Sequence, residues 1–206
     1  MRSGRNKQIT ALLAKQGIAT LALNLPGHGR PGEQSVGMLE TFTVSQGLAA
    51  VKAAVDWIKA TRRNVDTGKL AIVGVSVGGS VAFRALAETD FFASGVLIST
   101  RTTFVDARNG LYSWGDKPHR RVNSVLMRDG RRIKRDLLAP QISVPTLWLH
   151  GSNDSVVDPS HSTDTAALVT DAETYLILGG DHGMRDKVTE VAGLTTEYLT
   201  RKLLKK

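Results

Sequence analysis

The chain has no cysteine. That excludes a disulfide framework, a thiolate metal site and a cysteine nucleophile, and it leaves the redox compartment open. Aromatic residues are scarce, at 5% of 206 residues. No apolar run approaches the ~20 residues that a spanning helix needs. Runs such as Ile18-Ala19-Thr20-Leu21-Ala22-Leu23 predict buried strands instead. The basic start, Met1 to Lys7, leads into no signal-type apolar core: Gln8 to Lys15 is broken by polar residues and reads as an amphipathic helix. With Met1 as the true start, a cytoplasmic location is expected. No pair among the five histidines has metal-ligand spacing, so neither a metal nor another cofactor is expected.

What is present is an ordinary globular composition, 41% hydrophobic and 22% charged, in a length that suits one domain, residues 1–206. The net charge is +8. Much of it falls between Lys117 and Arg135, where Asp129 is the single acid. Such a run attracts anionic substrates, nucleic acid or membrane surfaces, but aromatic residues for base stacking are absent within it. A solvated arginine-rich surface is the favoured reading, with no nucleic-acid partner.

Short apolar runs alternate with longer amphipathic ones. Ile9, Leu12 and Leu13 predict a first helix, and Ile18 to Leu25 a strand that ends in the loop Pro26-Gly27-His28-Gly29. Thr43 with Gln46 has capping-box spacing ahead of Val44, Leu48, Val51, Val55 and Ile58, a helical face. Further strands are predicted at Leu70 to Val75, Ala93 to Ser99, Pro145 to His150 and Thr174 to Leu178, and a last helix carries Val188 to Leu203. Residues 101–140 are polar and irregular and read as a cap insertion above the sheet. This alternation predicts an α/β fold, a mostly parallel sheet with helices on both faces.

The richest stretch is Gly74-Val75-Ser76-Val77-Gly78, a Gly-x-Ser-x-Gly motif between a predicted strand and a helix predicted to begin near Val77. A serine on a sharp strand-to-helix turn has an exposed hydroxyl beside a helix N-terminus, and both glycines are expected to relieve crowding in the turn. A serine nucleophile in this setting demands an acid and then a histidine downstream. The loop after the strand at His150 offers Asp154. Its competitor Asp158 stands before Pro159, where capping a helix is a sufficient role. The loop after Leu178 offers His182 between Gly180 and Gly183, while Asp181 reads as a turn residue. Both loops fall on the carboxyl edge of a parallel sheet, as the elbow does. Of the other histidines, His28 is expected to line the substrate pocket, His150 to support the acid loop, and His119 and His161 to lie on the surface.

Together these pieces resemble the α/β-hydrolase superfamily: Asn24-Leu25-Pro26-Gly27-His28-Gly29, the elbow Gly74 to Gly79, Pro145 to Asp154, and Gly180 to Gly183. Within it the chain looks like compact bacterial esterases, lysophospholipases and acyl-peptidase catalytic domains, and Arg128 to Leu138 is similar to part of their cap. The resemblance implies a serine hydrolase that cleaves carboxylic esters, with Ser76 attacking, His182 as base, Asp154 orienting the ring and the Val77 N–H donating to the oxyanion. The implied partner is a small acyl ester.

The resemblance also has a gap. The family carries strands before the first helix predicted here, and the loop after one of them supplies a second oxyanion donor. That strand lies between those at Ile18 and Leu70, so the sheet is expected either to show a gap or to re-pair. A fragment or a start codon assigned too late is the expectation, with a naturally shortened relative as the alternative. A peptidase or acyl-transferase with the same three residues, and a non-catalytic protein that keeps the fold, remain the competing functions.

Overall fold

The computed structural model describes residues 4–29, 32, 35–104, 111–114, 117–121 and 124–204. In chain order the elements are α1 (Gly4–Lys15), α2 (Val44–Thr61), β1 (Ala71–Val75), α3 (Val77–Glu88), β2 (Ser94–Ile98), β3 (Leu111–Trp114), β4 (Lys117–Arg121), α4 (Ser124–Gly130), α5 (Arg135–Leu138), β5 (Thr146–Gly151), α6 (Ser160–Ala166), β6 (Ala172–Ile177) and α7 (Val188–Leu203).

Four strands form a parallel sheet in the order β1-β2-β5-β6. The inner strands β2 and β5 are buried along their whole length. Their apolar sequences follow from that position, because a parallel strand covered on both faces has no side to give to water. Successive side chains alternate between two cores. Val96, Ile98, Leu147 and Leu149 pack with residues of α1 and α7, among them Ile9, Leu13, Val191 and Leu199. Leu97 and Trp148 face the other way, into the core built with α2 and α3 around Val51, Val55 and Phe83. Phe83 meets Trp148 edge-on, and the indole N–H donates to Thr146 Oγ1 at 2.9 Å. The mostly parallel sheet with helices on both faces is therefore the observed architecture.

Local signals in the sequence act as expected at α2. Thr43 Oγ1 accepts from the Gln46 N–H at 3.0 Å, and Gln46 Oε1 accepts from the Thr43 N–H at 2.9 Å. This closed capping box satisfies two otherwise orphaned donors, a contribution of about 1 kcal/mol.

Three expectations are corrected. Residues 18–25 form no strand. Their pattern is apolar enough, but a strand needs a neighbour for its backbone groups. Among the described residues none pairs with β1 on its outer side, where such a neighbour would lie. Among the described residues the sheet ends at β1, so neither a gap flanked by a further strand nor a re-pairing is seen, and Leu21 and Leu23 are 48% and 43% exposed. Residues 101–140 are not irregular throughout, since β3 pairs antiparallel with β4 and α4 and α5 follow. Met127 and Ile133 from this segment are buried in the α2–α3 core. His161 is buried rather than on the surface: its Nδ1 lies 3.3 Å from the Thr102 N–H. The side chain of His119 lies outside the described residues.

Asp129, the lone acid of the basic run, has a specific place. Its carboxylate accepts from the Ser45 N–H at 2.9 Å and from Ser45 Oγ at 2.5 Å, which ties α4 to the N-terminal turn of α2. Arg84 of α3 donates to the same Ser45 hydroxyl at 2.8 Å. An anion at a helix N-terminus also meets the positive end of the helix dipole. Asp129→Ala is expected to destabilise the fold by about 1–3 kcal/mol, because the half-buried Ser45 N–H and hydroxyl lose a charged acceptor. Asp136→Ala, at a side chain 75% exposed, should stay within about 0.5 kcal/mol of wild type. Urea unfolding of the two variants checks the contrast.

Candidate functional site

The motif at residues 74–78 folds as the strand-turn-helix its residues predict. β1 ends at Val75, α3 begins at Val77, and Ser76 between them has φ 53° and ψ −121°. A positive φ at a non-glycine residue costs about 1–3 kcal/mol and persists only where the surroundings enforce it. Here the Ser76 N–H donates to Ile98 O at 2.9 Å, and Ser76 O accepts from the Ser80 N–H at 3.1 Å. The strained residue is thus held from the end of β2 and from the first turn of α3.

The two glycines of the motif are not equivalent. A Cβ on Gly74 would stand 2.4 Å from Gly78 O and 2.6 Å from the Ala82 side chain. A Cβ on Gly78 would have nothing within 4 Å. The expectation that crowding demands both glycines is therefore corrected: close packing of strand on helix requires the first alone.

The acid loop follows β5 and the histidine loop follows β6, and they are stitched together. The Ser152 N–H donates to Ile177 O at 2.9 Å, the Asn153 N–H to Gly180 O at 3.0 Å, and the Gly179 N–H to Ser152 Oγ at 2.8 Å. Gly151 permits this approach, since a Cβ there would lie 2.2 Å from Gly180 O.

The result is a line of side chains. His182 Nε2 lies 2.9 Å from Ser76 Oγ, and His182 Nδ1 lies 2.8 Å from Asp154 Oδ2. Asp154 Oδ1 accepts from the Val156 and Val157 N–H groups, both at 2.9 Å. The Asp154 side chain is 0% exposed and that of His182 is 14% exposed. Burial pushes the Asp154 carboxyl up, but hydrogen bonds from His150, His182 and the Val157 N–H outweigh it, and the group sits well below the usual carboxylate range. Asp154 is therefore an anion that fixes a proton on His182 Nδ1. That leaves Nε2 facing the hydroxyl as an acceptor. A hydroxyl so placed can pass its proton to the ring as its oxygen attacks an electrophile.

The other candidates fall where their local roles put them. Asp158 Oδ1 accepts from the Ser160 N–H at 2.9 Å, at the start of α6. Asp181 Oδ1 accepts from the Arg185 N–H at 3.1 Å, inside its own turn. His28 is half-buried, its Nδ1–H donates to Pro26 O at 2.9 Å, and its ring meets Phe42 edge-on. Val77 heads α3, so its N–H is among the first four of a helix and has no intrahelical acceptor.

Arg5 is a residue that the sequence reading missed. It looks like one more charge in a basic start, yet it is buried, and Nη1 donates to Gly183 O at 3.0 Å, beside His182. Burial lowers the pKa of its guanidinium and the charge of Asp181 opposes that shift. Only its position on the buried face of α1, with Ile9 and Leu13, signals the role. Among the described residues no group of three acidic, histidine or cysteine side chains could hold a metal ion, and no helix is long and apolar enough to cross a membrane.

A strained serine at a strand-to-helix turn, with an acid and a histidine supplied by later loops of one parallel sheet, defines the α/β-hydrolase class of architecture. The chain belongs to the alpha/beta hydrolase family, whose model matches residues 5–199. The fold is similar to that of Est1E from Butyrivibrio proteoclasticus with bound ferulic acid, at a TM-score of 0.83, 20% identity and coverage of 99% of this chain and 85% of that one. It is similar to a Paleococcus ferrophilus monoacylglycerol lipase, at 0.78, 18% identity and coverage of 98% and 90%. It is similar also to a Pyrococcus horikoshii acylaminoacyl peptidase, at 0.67 and 18% identity, with 82% of this chain matching 29% of that one. No protein in the curated set matches the sequence.

Two outcomes follow from the geometry. Gly74→Ala is expected to cost about 1–3 kcal/mol from overpacking, whereas Gly78→Ala should be neutral or stabilise by up to about 1 kcal/mol by restricting the unfolded chain; thermal melts of both variants compare them. The second concerns acid. A carboxyl held below its ordinary range contributes stability that is full above the unfolded value of about 4 and is lost as pH falls beneath it. The stability difference between wild type and Asp154→Asn should therefore shrink as urea titrations move from pH 7 to pH 3.

Proposed function

We propose that the protein is a serine hydrolase that cleaves carboxylic esters through a catalytic triad of Ser76, His182 and Asp154. The observation that carries this reading is the unbroken hydrogen-bonded line from Ser76 Oγ through the His182 ring to the Asp154 carboxylate. Ser76 Oγ attacks the acyl carbonyl as its proton passes to His182 Nε2. Asp154 keeps the ring oriented and offsets the positive charge that the ring acquires. The carbonyl oxygen becomes an oxyanion beside the start of α3, where the Val77 N–H donates to it. His182 then returns the proton to the departing alkoxide, and an acyl group remains on Ser76. Water, deprotonated by the same nitrogen, attacks that acyl group and frees the enzyme.

Around this centre, His28 is assigned to substrate contact from its loop, and residues 101–140, with α4 and α5, to a cap. The likeness to an esterase and a lipase supports an ester as the acyl donor, and the likeness to a peptidase makes amides the competing class.

Ser76→Ala is expected to reduce turnover of a p-nitrophenyl ester by about 10⁴-fold or more and to abolish labelling by a fluorophosphonate probe. His182→Ala should have a comparable effect, because the ring acts with the hydroxyl as one unit. Labelling that survives in Ser76→Ala at another residue would overturn the assignment. A panel of p-nitrophenyl esters against aminoacyl amides decides the substrate class, and faster amide turnover would replace the esterase reading with a peptidase.

A further inference from the structure

His150 shares the carboxylate that holds His182. It stands at the carboxyl end of β5, its side chain is 1% exposed, and its Nε2 lies 3.1 Å from Asp154 Oδ2 and 3.0 Å from Val157 O. Both neighbours of Nε2 are acceptors, so Nε2 carries a proton and donates between them. Nδ1 lies 2.6 Å from Ser162 Oγ on α6. Ser162 is fully buried, and its hydroxyl proton is satisfied by donation to Nδ1. The ring is then the neutral Nε2–H tautomer, fixed from both ends.

Asp154 Oδ2 thus receives two imidazole N–H groups, one from His182 and one from His150, while Oδ1 receives two backbone N–H groups. Every donor to a carboxylate stabilises its charge and weakens its pull on the remaining donors. The two histidines therefore compete for one oxygen. On the His182 side, the buried Arg5 guanidinium of α1 donates to Gly183 O at 3.0 Å, and Asp181 accepts from the Arg185 N–H at 3.1 Å within its own turn. The other charged groups nearby belong to different elements. Asp158 is exposed at the start of α6, His161 sits beside Ser162 with Nδ1 turned to Thr102, and Arg101 after β2 donates to Val156 O at 3.1 Å. None of these contacts supplies a donor to Asp154 Oδ2.

We infer that His150 is a positioning residue that sets how strongly Asp154 holds the proton on His182, and thereby the pH below which the site stops working. The kinetic consequence rests on the triad reading; the coupling between the two rings does not. With His150 present, Asp154 divides its acceptor strength and His182 gives up its second proton more readily. Without the His150 donor, Asp154 stabilises the His182 imidazolium more, and the ring stays protonated, and unable to act as a base, to higher pH.

The test pairs His150→Leu, which removes the donor, with His150→Gln, whose amide N–H can replace it. Two readouts are taken: the acid limb of the kcat/KM profile for p-nitrophenyl acetate, and the NMR titration of the His182 ring. In His150→Leu both are expected to move to higher pH by about 0.5–1 unit, and in His150→Gln to return toward wild type. A residue that only supports the loop would lower the melting temperature and leave both midpoints in place; unchanged midpoints in folded His150→Leu overturn the inference. Where His150→Leu does not fold, Ser162→Ala, which frees Nδ1 and loosens the ring, should give a smaller upward shift, and no shift overturns the inference equally. A wild-type protein without ester turnover defeats the triad reading alone, and the NMR titration then decides the coupling by itself.

Discussion

The Asp154 carboxylate is the point on which the site depends. Removing a carboxylate from water costs several kcal/mol even after relaxation. Four hydrogen bonds offset that cost: two from the backbone of its own loop, one from His150 and one from His182. Each donor is held by a different part of the chain. The backbone pair needs the turn after β5, His150 needs β5 itself and the hydroxyl of Ser162 on α6, and His182 needs the loop after β6. A single buried charge therefore ties the register of two strands, one helix and one glycine-lined loop to the orientation of one imidazole. Any displacement that costs Asp154 a donor leaves charge uncompensated in a dry place, so the arrangement resists distortion more than its contact area alone would suggest.

The strain at Ser76 belongs to the same balance. A hydroxyl can stand clear of the sheet at this turn only if the backbone adopts a conformation that side-chain-bearing residues avoid. The energy comes from the packing of α3 on β1 and β2, where Gly74 lets the helix approach and Ile98 O holds the Ser76 N–H. The strand that carries the serine is at the rim of the sheet, but the hydrogen bond that fixes the serine lies on its inner side, toward β2. That asymmetry lets the elbow keep its shape although, among the described residues, no strand pairs with the outer edge of β1.

What could be read in the sequence, and what could not, divides along local and non-local physics. The elbow, the capping box at Thr43 and the order of acid and histidine loops are local patterns on a parallel sheet, and the fold follows from them. The absence of a strand at residues 18–25 is non-local: the residues favour a strand, but among the described residues none pairs with them. His161 and Arg5 mislead for the same reason, because a polar side chain on a helix gives no sign of which distant carbonyl or amide it will meet. Gly78 misleads differently. A motif records which residues co-occur, whereas the space around a Cβ depends on how helix and strand cross, and here that crossing crowds Gly74 and spares Gly78. His150 was legible as support for the acid loop, but its second role needs atomic distances, since only they show two rings on one oxygen.

In the proposed reaction, proton transfer and charge stabilisation place separate demands on these constraints. Proton transfer in the proposed reaction draws on β1, β5 and β6, all tied through the inner strands β2 and β5, so the line from Ser76 to Asp154 is supported from the middle of the sheet. In the proposed reaction the oxyanion donor is the Val77 N–H at the start of α3, and among the described residues no strand pairs with the outer edge of β1. Each oxyanion donor is worth roughly 2.7–4 kcal/mol in a transition state, comparable to the strain and desolvation invested in the rest of the site. The hydrogen bonds that hold this line close among residues 76, 98, 150, 154 and 182.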